Sequence, residues 1–143
     1  MFTIGETFEL VTRITASDVW AFTRASGDRN PLHSDEDFAA RTLFREPIVH
    51  GLLVASKISA LLGNDVAPPG YYVVYQSQQL EFRAPVHVGD LLRVRATVKH
   101  WLPDKNRLEL RTEVLNRAST SVLEGAAAVR VFALAAATRE TAA

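Results

Sequence analysis

Residues 50–64 read His-Gly-Leu-Leu-Val-Ala-Ser-Lys-Ile-Ser-Ala-Leu-Leu-Gly-Asn. Leu52, Leu53, Val54, Ala55, Ile58, Leu61 and Leu62 spread over most of the circumference of a helix, and a helix apolar nearly all round is buried. Gly63-Asn64 is its expected stop. Beyond it, after Pro68-Pro69-Gly70, the period changes from helical to alternating. Tyr71–Phe82, Leu91–Trp101, Arg107–Asn116 and Ser121–Leu134 read as strands, parted by the turn segments Pro85 to Asp90, Pro103 to Asn106 and Arg117 to Thr120. Leu92, Val94, Ala96 and Val98 alternate with Leu91, Arg93, Arg95 and Thr97, which gives one buried face. Upstream, Phe8 to Arg13 alternates as a further strand. A long buried helix with about five antiparallel strands predicts an α+β domain whose sheet wraps the helix.

Between the first strand and that helix, Thr15 followed by Asp18 suggests a helix N-terminus, with Val19, Trp20, Phe22 and Thr23 as its apolar stripe. Gly27 should end it. Ser34-Asp35-Glu36-Asp37 puts a cap and three acids at the start of a short second helix through Phe38 and Ala39, where the helix dipole favours negative charge. Between the two lies Ser26-Gly27-Asp28-Arg29-Asn30-Pro31-Leu32-His33. Pro31 lacks a backbone donor and drives Asn30 out of the helical region, so this is an irregular loop. It holds a carboxylate and an imidazole five residues apart, the raw material of acid–base chemistry. The same residue types also serve plain turn geometry, because Asx side chains bond their own backbone.

The chain has 143 residues, enough for one domain with a real core and no metal or disulfide staple. Its 16 basic and 16 acidic residues balance, which argues against nucleic acid or an anionic membrane as a partner. The absence of cysteine excludes disulfides and a thiolate nucleophile, and fits a reducing, cytoplasmic setting. No apolar run is long enough to span a bilayer, and Met1 to Glu6 does not read as a signal peptide. The domain is expected over residues 1–134, with a frayed tail over 135–143.

Three segments resemble the MaoC-like, (R)-specific enoyl-CoA hydratase family, which has the hotdog fold. Phe22 to His33, with Phe38-Ala39-Ala40 after it, is similar to the family's hydratase motif. Pro47-Ile48-Val49-His50-Gly51-Leu52-Leu53-Val54-Ala55-Ser56 resembles the opening of its central helix. Leu80 to Asp90 resembles the strand and turn that follow. The resemblance covers residues 8–134 and implies a single hotdog domain, with an overhang segment carrying the catalytic loop.

The activity it implies is reversible syn addition of water to a trans-2-enoyl-CoA, giving an (R)-3-hydroxyacyl-CoA. Asp28 and His33 would be the catalytic residues. The favoured division has His33 polarising the water and Asp28 passing the proton to C2, although a coupled pair need not have separable roles. The backbone N–H of Gly51 would be the oxyanion donor, unless this glycine serves only the geometry of a helix start. Asn30 and Ser59 would support the site. Ser59, eight residues past Gly51, either bonds Asp28 or bonds back to the Ala55 carbonyl. His50 reads as a structural histidine at the helix entry, and His87 and His100 as surface residues. No histidine spacing suggests a metal, and no cofactor is expected.

The resemblance also implies a homodimer, with Tyr71–Gln78 as a natural edge, and an acyl-CoA or acyl-carrier-protein thioester as substrate. Val19, Trp20, Leu52, Leu53 and Tyr71 to Tyr75 either line an acyl tunnel or simply fill the core. The alternatives are a 3-hydroxyacyl-[acyl-carrier-protein] dehydratase, a hotdog thioesterase or a non-catalytic acyl-binding subunit. The intact Asp28/His33 loop argues against the last two.

Overall fold

The computed structural model describes residues 1–137. The residues are ordered along the chain as β1 (Thr7–Arg13), α1 (Ala16–Ser26), α2 (Glu36–Ala40), α3 (Gly51–Asp65), β2 (Tyr71–Phe82), β3 (Leu91–Leu102), β4 (Arg107–Leu115) and β5 (Ser121–Ala133). All five strands form one antiparallel sheet in the order β1-β3-β4-β5-β2. The predicted α+β architecture is therefore present. The part of the expected tail beyond residue 137 lies outside the described residues.

Alternation builds the inner face. Leu92, Val94, Ala96 and Val98 of β3 and Leu108, Leu110 and Val114 of β4 are buried; the residues between them are more exposed along β3 and the first half of β4, whereas Thr112 to Leu115 are all buried. Against this face lies α3, which packs on β1, β2, β3 and β4 through Leu53, Val54, Ile58, Leu61 and Leu62. The sheet wraps the helix, as the hotdog fold requires.

The helix does not stop at Gly63-Asn64 but continues to Asp65. Nothing crowds Gly63, and Val66, four residues after Leu62, is also buried. Packing of that stripe outweighs the roughly 1 kcal/mol by which one glycine weakens a helix interior. A second departure concerns the outer residues: Trp20 is 62% exposed and Leu52 61% exposed, so neither belongs to the core of the single chain. Trp20 instead carries the Arg24 guanidinium 4.8 Å above its ring.

Residues 16–49 form the overhang between β1 and α3. The Thr15 hydroxyl accepts from Asp18 N–H (3.1 Å) and the Asp18 carboxylate accepts from Thr15 N–H (2.9 Å), a complete capping box for α1. At its other end Gly27 takes φ +77°, the left-handed conformation that glycine adopts without a Cβ penalty. The short α2 is capped by Asp35, whose carboxylate accepts from Phe38 N–H, rather than by Ser34.

Candidate active site

The loop after Gly27 is fixed by its own side chains. Ser26 Oγ accepts from Asp28 N–H (3.1 Å), the Asp28 carboxylate from Asn30 N–H (3.1 Å), and Asn30 Oδ1 from Leu32 N–H (3.1 Å). Asn30 also caps a single 3-10 turn over Pro31–His33. Each Asx bond satisfies a donor that no helix or strand could serve here. Two longer links tie the loop to the approach of α3. Ile48 N–H donates to the Leu32 carbonyl (3.3 Å), and His33 Nδ1–H donates to the Ile48 carbonyl (2.8 Å). With its proton on Nδ1, His33 presents the bare Nε2 lone pair, the form a general base needs.

Asp28, His33 and His50 each bring one ring nitrogen or carboxylate oxygen within 4.8 Å of the others. A single water molecule can touch both members of the Asp28/His33 pair across such a gap. The geometry suits a metal ion less well. The His33 and His50 rings are stacked, with centroids 3.9 Å apart and planes 32° from parallel. His33 Nδ1 is already engaged with the Ile48 carbonyl, which leaves only its Nε2 for any ion.

Asp28, His33 and His50 face a cavity of about 440 Å³, whose wall continues through Gly51, Ile48, Phe82 and Val122. Gly51 is the first residue of α3, where backbone N–H groups have no helical acceptor and the dipole is positive. A Cβ there would come within 2.6 Å of the Phe82 ring, so only glycine fits as drawn. Three sequence-predicted groups (Asp28, His33 and Gly51) thus meet at one cavity, and Asn30 holds the loop that presents the first two.

Ser59 does not join them. It is exposed on α3 and outside the cavity wall. Eight residues advance a helix by about 80° beyond two full turns, so Ser59 shares the exposed stripe of Leu52 rather than the face of Gly51. Seven residues bring the chain back into line, and that position is Ile58, buried in the core. Ser56 bonds back to the Leu53 carbonyl (2.6 Å).

His50 is, as expected, a buried histidine at the entry to α3, and the structure adds what surrounds it. It is 2% exposed and lies between the His33 ring and the Phe22 ring of α1, 4.8 Å away. Burial, and then the charge of His33, hold its pKa below the ordinary imidazole value. Its position directly before the helix-start glycine and within reach of a loop histidine was the available signal. Of the other histidines, His87 pairs with Glu46 (3.1 Å) on the surface side of the Pro85–Asp90 turn.

Comparison with known proteins establishes the family. The MaoC like domain family matches residues 2–122, and the chain belongs to that family. It is 44% identical over 128 residues to a 3-hydroxybutyryl-CoA dehydratase of Methylorubrum extorquens, covering 90% of this chain and 80% of that one. It is 39% identical over 128 residues to an (R)-specific enoyl-CoA hydratase of Aeromonas caviae, covering 90% and 94%. The solved structure of the A. caviae (R)-hydratase superposes with a TM-score of 0.83 at 38% identity, covering 90% of this chain and 96% of that one.

Proposed function

We propose that the protein is an (R)-specific enoyl-CoA hydratase, adding water reversibly across a trans-2-enoyl thioester. The observation that carries this reading is the convergence of Asp28, His33 and the N-terminus of α3 on one otherwise largely apolar cavity. An enoyl thioester needs such a set: a water held by two proton-handling groups, and a donor where enolate charge develops.

In this mechanism a water bridges His33 Nε2 and the Asp28 carboxylate. Its oxygen bonds to C3 as one O–H bond breaks. The released proton passes through the Asp28/His33 pair to C2, on the same face. Negative charge meanwhile gathers on the thioester oxygen, which accepts from Gly51 N–H. In reverse the same groups eliminate water. No cofactor enters these steps. A donor aimed at developing charge in a site of low polarity contributes about 2.7–4 kcal/mol to lowering the barrier.

The working form in this reading is a homodimer. β2 is an edge strand of 12 residues that exposes Tyr71, Tyr72, Val74 and Tyr75, and a bare, long apolar edge is a liability in a monomer. Pairing β2 with a second copy would cover it, together with the Leu52 and Ser59 stripe of α3. Ser59 would then face the partner rather than its own Asp28. No described helix is long and apolar enough to cross a membrane, and a cytoplasmic location fits the absence of cysteine.

The test is incubation of the purified protein with crotonyl-CoA, following the conjugated thioester absorbance and free thiol together. Hydration predicts loss of absorbance without thiol release and an (R)-3-hydroxybutyryl-CoA product. Release of free CoA would identify a thioesterase and contradict the reading. Activity confined to carrier-protein thioesters would favour a dehydratase of acyl-chain assembly.

A further inference from the structure

We infer that His50 is a positioning residue for the reaction, holding the two catalytic groups in register through one side chain that touches both. On one side its ring stacks on the His33 imidazole at 3.9 Å. On the other its Nε2 lies 3.4 Å from the backbone carbonyl oxygen of Asp28 and 3.5 Å from Thr23 Oγ1. Phe22 and Thr23 of α1 thus back the His50 ring, and the ring backs the catalytic loop.

Chemistry selects one form of this ring. A carbonyl oxygen only accepts, so the contact with Asp28 requires the proton on Nε2. His50 Nδ1 is buried and has no hydrogen-bond partner among the described residues. A bare lone pair there costs less than a stranded donor, because a buried N–H forfeits a full hydrogen bond to water. The charged form would bury a cation, and burial holds its pKa down. His50 is therefore the neutral Nε2–H tautomer. In that form it cannot relay the reaction proton, because Nδ1 has nowhere to pass it.

What it can do is fix geometry. His33 has one hydrogen bond to hold its ring, from Nδ1 to the Ile48 carbonyl, and rotation about that bond would swing Nε2 away from Asp28. The stacked His50 ring blocks the rotation on one face. The Nε2–H contact holds the Asp28 backbone at the edge of the same ring. Misplacement of about 1 Å at such a pair can cost on the order of a hundredfold in rate.

The proposal rests on Asp28 and His33 being the catalytic pair, and its test separates the two. Ring 15N–1H correlation spectra of the wild-type protein at pH 7 read the tautomers directly. They should show His50 protonated on Nε2 only and His33 on Nδ1 only. An Nδ1–H or doubly protonated His50 would overturn the proposal without any variant. His50→Gln keeps a donor but cannot stack, and His50→Phe stacks but cannot donate. In each, kcat for crotonyl-CoA should fall at least tenfold with KM within about threefold, and the His33 signals should broaden into a tautomer mixture. A folded variant of either kind with wild-type kcat and an unchanged His33 spectrum would overturn it. If Asp28→Asn and His33→Gln keep wild-type turnover, the catalytic reading itself fails, whatever the His50 spectrum shows.

Discussion

Gly51 and Phe82 meet at a contact with no room for a methyl group: a Cβ on Gly51 would lie 2.6 Å from Phe82 Cε1 and 2.9 Å from Cδ1. The contact joins the first turn of α3 to the end of β2, and both residues belong to the cavity wall. A glycine here does more than begin a helix. It lets an aromatic ring, and by the proposed mechanism a thioester oxygen, approach the backbone closely.

Gly51→Ala should therefore separate stability from turnover. The Phe82 ring is 54% exposed and can give way, so the stability cost should stay near 1 kcal/mol, at the low end for overpacking. Turnover on crotonyl-CoA should fall at least tenfold, because the methyl group crowds the cavity wall beside the N–H proposed to serve the oxyanion. Adding Phe82→Leu should recover stability but not rate. Urea unfolding and steady-state kinetics on the single and double variants check both halves. Recovery of rate in the double variant would make Gly51 a packing residue only.

His50 gives a pH dependence whose sign is fixed by its depressed pKa. The folded state keeps this imidazole neutral, whereas the unfolded chain takes up a proton near the ordinary value of 6.5. Below that value the unfolded state binds more protons, so stability falls with pH. Unfolding free energy measured at pH 7.5, 6.5 and 5.5 should decline for the wild type. It should decline less for His50→Gln, narrowing the gap between the two as the solution becomes more acid. A gap that stays constant or widens would mean His50 is not held neutral.

The β2 edge makes a prediction about assembly. Val74 is 45% exposed on this strand, and a charge on a bare edge opposes pairing with another copy. Sedimentation should give twice the chain mass for the wild type and a shift toward the monomer for Val74→Lys. A wild-type monomer at micromolar concentration would contradict the proposed dimer.

Much of this fold was legible because its signals are local. The strand periods, the Thr15/Asp18 capping box and the left-handed Gly27 each depend on a few neighbouring residues. Three readings failed where distant packing decides. α3 ran past Gly63-Asn64 because Val66 extends its buried stripe. Trp20, offered as tunnel or core, faces outward, because sequence gives hydrophobicity and not the direction of the neighbouring element, whereas Leu52, outside the core, does line the cavity. Ser59 was expected to support the site, but eight residues past Gly51 is two turns plus about 80°, which carries it off the Gly51 face.

The site was legible in part for the same reason. Asp28, Asn30 and His33 sit in one loop with turn chemistry of its own, and Gly51 marks a helix start. His50 read as a structural histidine, but its partners were not legible, because Phe22, Thr23, Asp28 and His33 come from segments 17 to 28 residues earlier. Only the packing of α1 and the loop onto the head of α3 brings them to its ring.

The central claim is that Asp28 and His33 share one water and move its proton. Turnover of crotonyl-CoA by Asp28→Asn and His33→Gln, with folding checked by circular dichroism, tests it most directly. The account predicts that kcat falls by about 10²–10⁴ in each folded variant, the range for loss of an acid–base group. It also predicts that the double variant is hardly slower than either single one, because the two act as a unit. A folded Asp28→Asn or His33→Gln protein that hydrates crotonyl-CoA at close to the wild-type rate would contradict it.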